Sequence, residues 1–152
     1  MLDIHQPAPL AAYQATTGDG HLQDHLGQTM VLFFYPKDHT PGCTIEAKDF
    51  RDHYSAFSEL NTLVFGISRD SLSSHQKFAS KHSLPFGLIA DVDGHLCTSY
   101  GVFKEKSMFG KSFLGIERST FIIDANGSIA ALWRKVKVKD HVTEVLERLR
   151  SL

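Results

Sequence analysis

The chain has 152 residues, a length typical of one domain, and a core of this size needs no disulfide or metal to hold it together. Apolar residues make up 42% and charged residues 22%, with a formal net charge of −1, which excludes a disordered or collagen-like chain. No apolar run is long enough to cross a membrane, and the N-terminus does not resemble a signal peptide. We therefore expect a single cytoplasmic domain over residues 1–152, with no membrane partner and with its two cysteines as free thiols.

The charge is unevenly distributed along the chain. Residues 104–152 carry 10 Lys or Arg against 6 Asp or Glu, whereas residues 1–103 carry 6 against 11. The densest basic segment is RKVKVK at 134–139. It could be a surface for nucleic acid or an acidic partner, or an exposed strand edge whose lysines discourage pairing with other strands. Because one short stripe has no recognition motif around it, we favour the strand edge and expect no nucleic-acid partner.

Apolar periodicity and turn signals predict alternating strands and helices. Residues 16–20 predict a turn in an N-terminal hairpin. Continuous apolar runs predict buried strands at 30–35, 62–67 and 119–123, the last joined by an Asn126-Gly127 turn to a strand at 128–133. Helices are predicted from Cys43 to Phe57, from Asp70 or Ser71 onwards, and around 142–149. The pattern indicates an α/β fold, with a mixed central sheet flanked by helices.

The segment FYPKDHTPGCTIEA, residues 34–47, contains the strongest candidates for catalytic residues. The strand ends at Pro36, a short polar loop follows, and Cys43 lies at the start of a helix. Ligands collect at the carboxyl ends of strands in open α/β sheets, and the first turn of a helix stabilises a thiolate. This placement favours a reactive cysteine. The alternative is a small buried apolar side chain, since Cys43 also falls on the apolar stripe of its helix.

These residues resemble the active site of the peroxiredoxin family. Pro36, Thr40 and Cys43 match the pattern PxxxTxxC, and FFYPKDHTPGCTIEAKDFRD is similar to the bacterioferritin-comigratory, or Q-type, subgroup. The likeness continues at collinear positions through nearly the whole chain. It implies a thioredoxin-like fold and an antioxidant thiol peroxidase that reduces hydrogen peroxide and organic hydroperoxides. It also implies a thiol reductant, either thioredoxin or a glutaredoxin or glutathione system, and a monomer or weak dimer.

The resemblance also assigns roles to individual residues. Cys43 attacks one peroxide oxygen as a thiolate and becomes a sulfenic acid. The Thr40 hydroxyl, the Cys43 backbone N–H and Arg118 hold the two oxygens, and Pro36 shields the sulfur from water. Glu46 either orients neighbouring groups or is simply a carboxylate favoured near a helix N-terminus.

The chain departs from the family at the position of the second thiol. Many Q-type members have a resolving cysteine five residues after the first, where this chain has Lys48, and others place it in the next helix, where this chain has none. Cys97 is the remaining thiol; it could resolve the sulfenic acid, although a buried helix cysteine is the favoured interpretation. We therefore expect a one-Cys cycle. His39 occupies a position where the family usually has Asp or Asn. The sequence does not predict what this difference changes.

Two other functions remain open at this point. A thioredoxin-like thiol–disulfide oxidoreductase would require a Cys-x-x-Cys pair, but Thr40 occupies the partner position. A non-catalytic redox sensor or binding module is the third interpretation. The nine histidines form no HExxH pattern, and no paired CxxC motif occurs, so we expect neither a metal site nor a cofactor.

Overall fold

A five-stranded mixed sheet forms the centre of the molecule in a computed structural model that describes residues 2–152. The strands are β1 (Ala12–Tyr13), β2 (Gly20–His21), β3 (Thr29–Phe34), β4 (Thr62–Ser68), β5 (Gly87–Ala90), β6 (Phe103–Met108), β7 (Lys111–Ile116), β8 (Ser119–Ile123) and β9 (Ile129–Trp133). The helices are α1 (Pro41–Asp52), α2 (Tyr54–Glu59), α3 (Leu72–His82), α4 (His95–Ser99) and α5 (His141–Arg150). The central order is β5-β4-β3-β8-β9, with β3, β4 and β5 parallel and β8 and β9 antiparallel to their neighbours.

The central strand β3 divides the core into two layers. Because successive side chains of a strand point to opposite faces, Val31 and Phe33 pack in one layer and Leu32 and Phe34 in the other. The first layer contains the apolar residues of α1, α2, α3 and α5, and the second contains those of the N-terminal segment and α4. All four side chains are fully buried, so β3 is covered on both faces, as its continuous apolar run predicted.

Most of the predicted elements are present, with shifted ends. The strands at 30–35, 62–67 and 119–123, the turn into β9 and the C-terminal helix are confirmed, and the N-terminal hairpin is a short antiparallel pair. The long helix predicted from Cys43 is two helices: α1 begins two residues earlier, at Pro41, and α2 begins again after His53. The helix predicted from Asp70 or Ser71 is capped by Ser71, whose hydroxyl accepts a hydrogen bond from Ser74 N at 3.1 Å.

The sequence analysis was wrong about the basic segment 134–139. It is not a strand edge, because β9 ends at Trp133 and these residues form the loop between β9 and α5. The alternating Val and Lys residues indicate a strand, but Lys135 has a φ of 50°, a left-handed conformation that ends the extended chain. The helix expected around Cys97 is α4, whereas β5 and the β6–β7 hairpin were not predicted. Among residues 2–152, no helix combines the length and the apolar character needed to span a bilayer.

Candidate active site

The register of the central sheet brings two distant segments together, the loop between β3 and α1 and the start of β8. Ser119, the first residue of β8, pairs with Phe34, the last residue of β3. Arg118 immediately precedes β8, so it lies beside the loop that leaves β3 and enters α1. Cys43 is the third residue of α1. A strand pairing therefore juxtaposes a cysteine and an arginine that are far apart in the sequence.

Cys43 is buried, with 2% of its surface exposed, and Arg118 lies against its sulfur. Arg118 Nη2 is 3.4 Å from Cys43 Sγ, while Nη1 donates to Glu46 Oε1 at 2.7 Å. One guanidinium thus bridges two residues that are one turn apart on α1. Burial acts to lower the pKa of Arg118, but the negative charges of Glu46 and Cys43 outweigh it and raise that pKa. The arrangement keeps a fixed cation and a fork of N–H donors at the sulfur.

Glu46 orients Arg118, but burial of its carboxylate is unfavourable. Its side chain is fully buried, and burial raises its pKa to about 7 although the Arg118 charge opposes the rise. Within residues 2–152, Glu46 Oε2 has no hydrogen-bond partner. A buried carboxylate oxygen left unpaired is destabilising, so its ion pair with Arg118 is better explained by orientation of the guanidinium than by stability.

Gly42 leaves space for this guanidinium. A Cβ atom at this position would lie 3.3 Å from Arg118 Nη2, closer than most side-chain contacts. Any larger residue would therefore press on the donor that faces the Cys43 sulfur.

Thr40 precedes α1 as its N-cap residue but does not cap it with its side chain. The Thr40 hydroxyl instead donates to Lys37 O at 2.7 Å. As a result the backbone N–H of Cys43, which an N-cap side chain usually occupies, has no partner among the described residues. This free donor lies in the first turn of α1, where the helix dipole also favours negative charge.

The loop before α1 also contains Pro36, a predicted site residue, and His39, which has an unusual backbone conformation. Pro36 lies two residues after the end of β3 and is exposed; without an N–H it cannot extend the ladder. His39 has a φ of 64°, and its ring meets Phe78 of α3 edge-on with ring centroids 5.2 Å apart. Asn, Asp and His are the non-glycine residues that best tolerate this conformation, which explains why His can replace the usual Asp or Asn here.

A buried polar network that the sequence analysis missed fastens this loop to α3. Asp38, on the loop, receives hydrogen bonds from the Tyr35 hydroxyl at 2.7 Å, the Ser74 hydroxyl at 2.8 Å and His75 Nδ1 at 2.7 Å. His75 Nε2 lies 2.9 Å from Ile89 O, so both ring nitrogens lie within hydrogen-bond distance of an oxygen atom. Burial acts to raise the pKa of Asp38, but these hydrogen bonds outweigh it and lower that pKa. No local sequence signal links Asp38 to a histidine on another helix.

Cys97 lies in the other layer of the core. It is fully buried with Tyr100 and Val102, as the favoured interpretation predicted, whereas Cys43 packs with α1 on the opposite face of the sheet. Burial raises the pKa of the Cys97 thiol, and its contact with Asp91 raises that pKa further. The two cysteines are therefore separated by the central sheet.

Two groups of residues could supply metal ligands, Asp38 with Asp70 and His75, and Asp91 with Asp93 and His95. Their carboxylates already accept hydrogen bonds from the protein; Asp91, for example, accepts from Leu96 N and Cys97 N. We assign no metal to either group.

Comparisons with known proteins agree with this geometry. The AhpC/TSA family model matches residues 4–132. The chain is 48% identical to Peroxiredoxin Bcp of Bacillus subtilis (strain 168), over 99% of this chain and 97% of that protein. It is 39% identical to Peroxiredoxin Bcp of Escherichia coli (strain K12), over 86% and 84%. A solved structure of Xanthomonas campestris bacterioferritin comigratory protein, studied for alkyl peroxide reduction, superimposes with a TM-score of 0.92 at 40% identity, over 98% of both chains. A Xylella fastidiosa PrxQ mutant gives 0.95 at 38% identity, over 99% and 97%.

The fold, the cysteine at the start of α1 and the similarity to peroxiredoxins together place the chain among thiol-dependent peroxidases. The chain belongs to the AhpC/TSA family, in its Bcp or Q-type peroxiredoxin branch. It is thus an oxidoreductase that reduces peroxides with a thiol, and the sequence-based prediction of this activity is confirmed. Neither alternative, the thiol–disulfide oxidoreductase nor the non-catalytic module, is retained.

The Asp38 network yields a prediction about stability. Asp38→Asn removes a buried carboxylate that accepts hydrogen bonds from Tyr35 and Ser74 and contacts His75, so the free energy of unfolding should fall by about 3 kcal/mol at neutral pH. Because the pKa of Asp38 is lowered in the folded state, this contribution is present above its ordinary value of 3.8 and is lost as the pH falls below it. Urea unfolding at several pH values would measure both effects.

Asp93→Asn is the matched control for this prediction. It also removes a carboxylate bonded to a histidine Nδ1, at 2.6 Å from His95, but on the exposed surface. It should change stability little, because solvent screens exposed pairs. Equal losses in the two variants would show that the buried network does not anchor the loop.

Proposed function

We propose that Cys43 is the peroxidatic residue and that the protein reduces hydrogen peroxide and organic hydroperoxides. The observation that carries the proposal is the contact of Cys43 Sγ with Arg118 Nη2 at the start of a helix. A helix N-terminus and a guanidinium both favour a thiolate over a thiol. Support for organic substrates comes from the Xanthomonas campestris relative, whose structures concern alkyl peroxide reduction.

The reaction follows from the groups around the sulfur. The thiolate attacks the terminal oxygen of a hydroperoxide in line; the S–O bond forms, the O–O bond breaks, and Cys43 becomes a sulfenic acid that keeps the terminal proton. The departing oxygen leaves with the electron pair and takes a proton from water. Negative charge therefore develops on that oxygen. The Arg118 N–H groups and the free Cys43 backbone N–H are the donors that stabilise it.

Thr40 and Pro36 complete the proposed site. Since the Thr40 hydroxyl donates to Lys37 O, its oxygen retains lone pairs that can accept the hydroperoxide O–H. That contact would orient the terminal oxygen towards the sulfur. Pro36 closes the loop on its solvent side, where it limits water around the thiolate.

One prediction of the proposed mechanism concerns the two thiols. Cys43→Ser should abolish peroxide consumption, because the nucleophile is lost. Cys97→Ser should retain the first turnover, because Cys97 lies on the other face of the sheet. Stopped-flow mixing of each reduced variant with one equivalent of peroxide measures that turnover. Comparable loss in both variants would contradict the assignment of Cys43.

A second prediction separates the two effects of Arg118. Arg118→Ala should slow the reaction with peroxide by about a hundredfold or more, the usual effect of removing a donor from a developing oxyanion. The deficit should persist at pH values where a free thiol is ionised, because transition-state stabilisation is lost as well as thiolate stabilisation. Arg148→Ala, a change on the exposed C-terminal helix, is the control. Full recovery of the rate at high pH would show that Arg118 acts only on ionisation.

We also propose that the enzyme works in a one-Cys cycle. Bridged cysteines have Cα atoms within about 7 Å of each other. A layer packed on a sheet lies about 10 Å from it, and Cys43 and Cys97 belong to layers on opposite faces. A Cys43–Cys97 disulfide would therefore require the sheet to open. An external thiol instead condenses with the sulfenic acid to give a mixed disulfide and water, and a second thiol then releases reduced Cys43.

The reductant in this proposal is thioredoxin or a glutaredoxin or glutathione system, and the protein acts as a monomer or weak dimer. We propose a cytoplasmic location, where the reducing environment maintains both free thiols.

Intact-mass analysis after one equivalent of peroxide tests the cycle. We expect a gain of one oxygen that dimedone traps as a sulfenic adduct on Cys43, and further oxidation to sulfinic acid under excess peroxide. A loss of two hydrogens, with a Cys43–Cys97 peptide after digestion, would instead show that Cys97 resolves the sulfenic acid. The Cys97→Ser variant provides the reference mass for the one-Cys course.

A further inference from the structure

The β6–β7 hairpin forms a separate two-stranded sheet outside the central one. Its strands pair from Phe103↔Ile116 to Met108↔Lys111, so Phe109 and Gly110 form a two-residue turn. Four large apolar side chains of the hairpin are exposed: Met108, Phe109, Phe113 and Leu114. Such a concentration of apolar surface marks an interaction site.

Phe109 is strained as well as exposed. It has a φ of 54° and is followed by Gly110 at 77°, the two left-handed conformations of a type I′ turn. Asn-Gly or Asp-Gly suits this turn, and a bulky residue at its first position is energetically unfavourable. The side chain is 96% exposed, so almost no packing within the chain compensates for the strain. An aromatic ring held in this way at the tip of a hairpin is explained by something that it contacts outside the chain.

The basic loop 134–139 lies against the base of the same hairpin. Arg134 Nη1 donates to Gly101 O at 3.4 Å, just before β6, and Val136 N donates to Arg118 O at 3.0 Å, just after β7. Residues 103–118 and 134–139 together contain eight Lys or Arg and two Glu. Lys135, Lys137 and Lys139 are exposed. The basic loop therefore lies at the base of the hairpin and the exposed apolar side chains lie towards its tip. We call residues 103–118 with 134–139 the hairpin surface.

We propose that the hairpin surface docks reversibly on an anionic lipid surface, with Phe109 entering the interfacial layer and the lysines contacting the headgroups. Aromatic and aliphatic side chains beside clustered lysines have the chemistry that such a surface binds. Two Glu residues, Glu105 and Glu117, oppose the attraction but leave a large positive excess.

A second copy of the chain fits the hairpin surface less well. Its four exposed apolar side chains offer on the order of 500 Å², taking about 150–250 Å² for a whole aromatic side chain. A stable protein interface buries about 800 Å² on each partner. Two identical copies would also bring the same excess of positive charge together, which an anionic lipid surface neutralises.

The lipid proposal departs from the sequence-based expectation of no membrane partner, which was made without knowledge of the hairpin. It is independent of the one-Cys cycle. Arg118 follows β7 by two residues, at the end of the hairpin opposite Phe109, so a docked hairpin would connect the peroxide site to the lipid surface.

Vesicle flotation with the full chain tests the proposal. Phosphatidylcholine vesicles with about one third phosphatidylglycerol should bind the protein at low salt, pure phosphatidylcholine vesicles should not, and raising the salt from about 0.05 M to about 0.3 M should release it. Phe109→Asn should weaken binding about tenfold while relieving the strain of the turn, so folding is preserved. The triple variant Lys135→Gln, Lys137→Gln, Lys139→Gln should weaken it about tenfold or more.

The controls separate this surface from general charge and apolarity. Val92→Asn removes an exposed apolar side chain elsewhere, and Lys77→Gln with Lys81→Gln removes two exposed lysines of α3; both should bind as the unchanged chain does. Hydrogen peroxide consumption without vesicles should be the same in Phe109→Asn, so a failure of the peroxidase assignment would be visible separately. Absence of binding to anionic vesicles overturns the proposal. So does concentration-dependent dimerisation that Phe109→Asn abolishes, which would identify a second copy as the occupant.

Discussion

The antiparallel pairing of β3 with β8 determines where the chemistry of this protein takes place. The loop after β3 leads to Cys43, and the residue before β8 is Arg118, so the register Phe34↔Ser119 sets the distance between sulfur and guanidinium. Both strands are buried on both faces, and a slip by one residue would turn every core side chain to the wrong layer. The hydrophobic core therefore fixes the active site indirectly, through the register of two strands.

Two pairs of side chains, each with a buried carboxylate, hold the loop from either side. Arg118 with Glu46 fixes the cation against α1, and Asp38 with His75 fastens the loop to α3. Buried charges are costly to desolvate, and apolar replacements of equal size are often as stable. Their presence on both sides of one short loop indicates that placement of the helix start takes precedence over stability there. The unpaired Glu46 Oε2 is the clearest sign of that compromise.

The sequence was informative where one physical cause dominates. Long apolar runs predicted the central strands because burial on both faces leaves few other solutions. The start of α1 was placed two residues late, at Cys43, because the apolar stripe begins there. Arg118 could be placed only through resemblance, since nothing local distinguishes it from a surface arginine. The Asp38–His75 pair was missed because it joins distant positions. The loop at 134–139 was mistaken for a strand because a positive φ at Lys135 has no signature in a run of alternating Val and Lys.

The sheet between Cys43 and Cys97 also makes the two thiols chemically distinguishable without mutation. In the folded protein, Cys97 is fully enclosed and its ionisation is suppressed by burial, so an alkylating reagent reaches it only when the second layer of the core opens. Its modification rate then measures the opening free energy of that layer. Cys97 is thus an internal probe of unfolding, on the face of the sheet opposite Cys43.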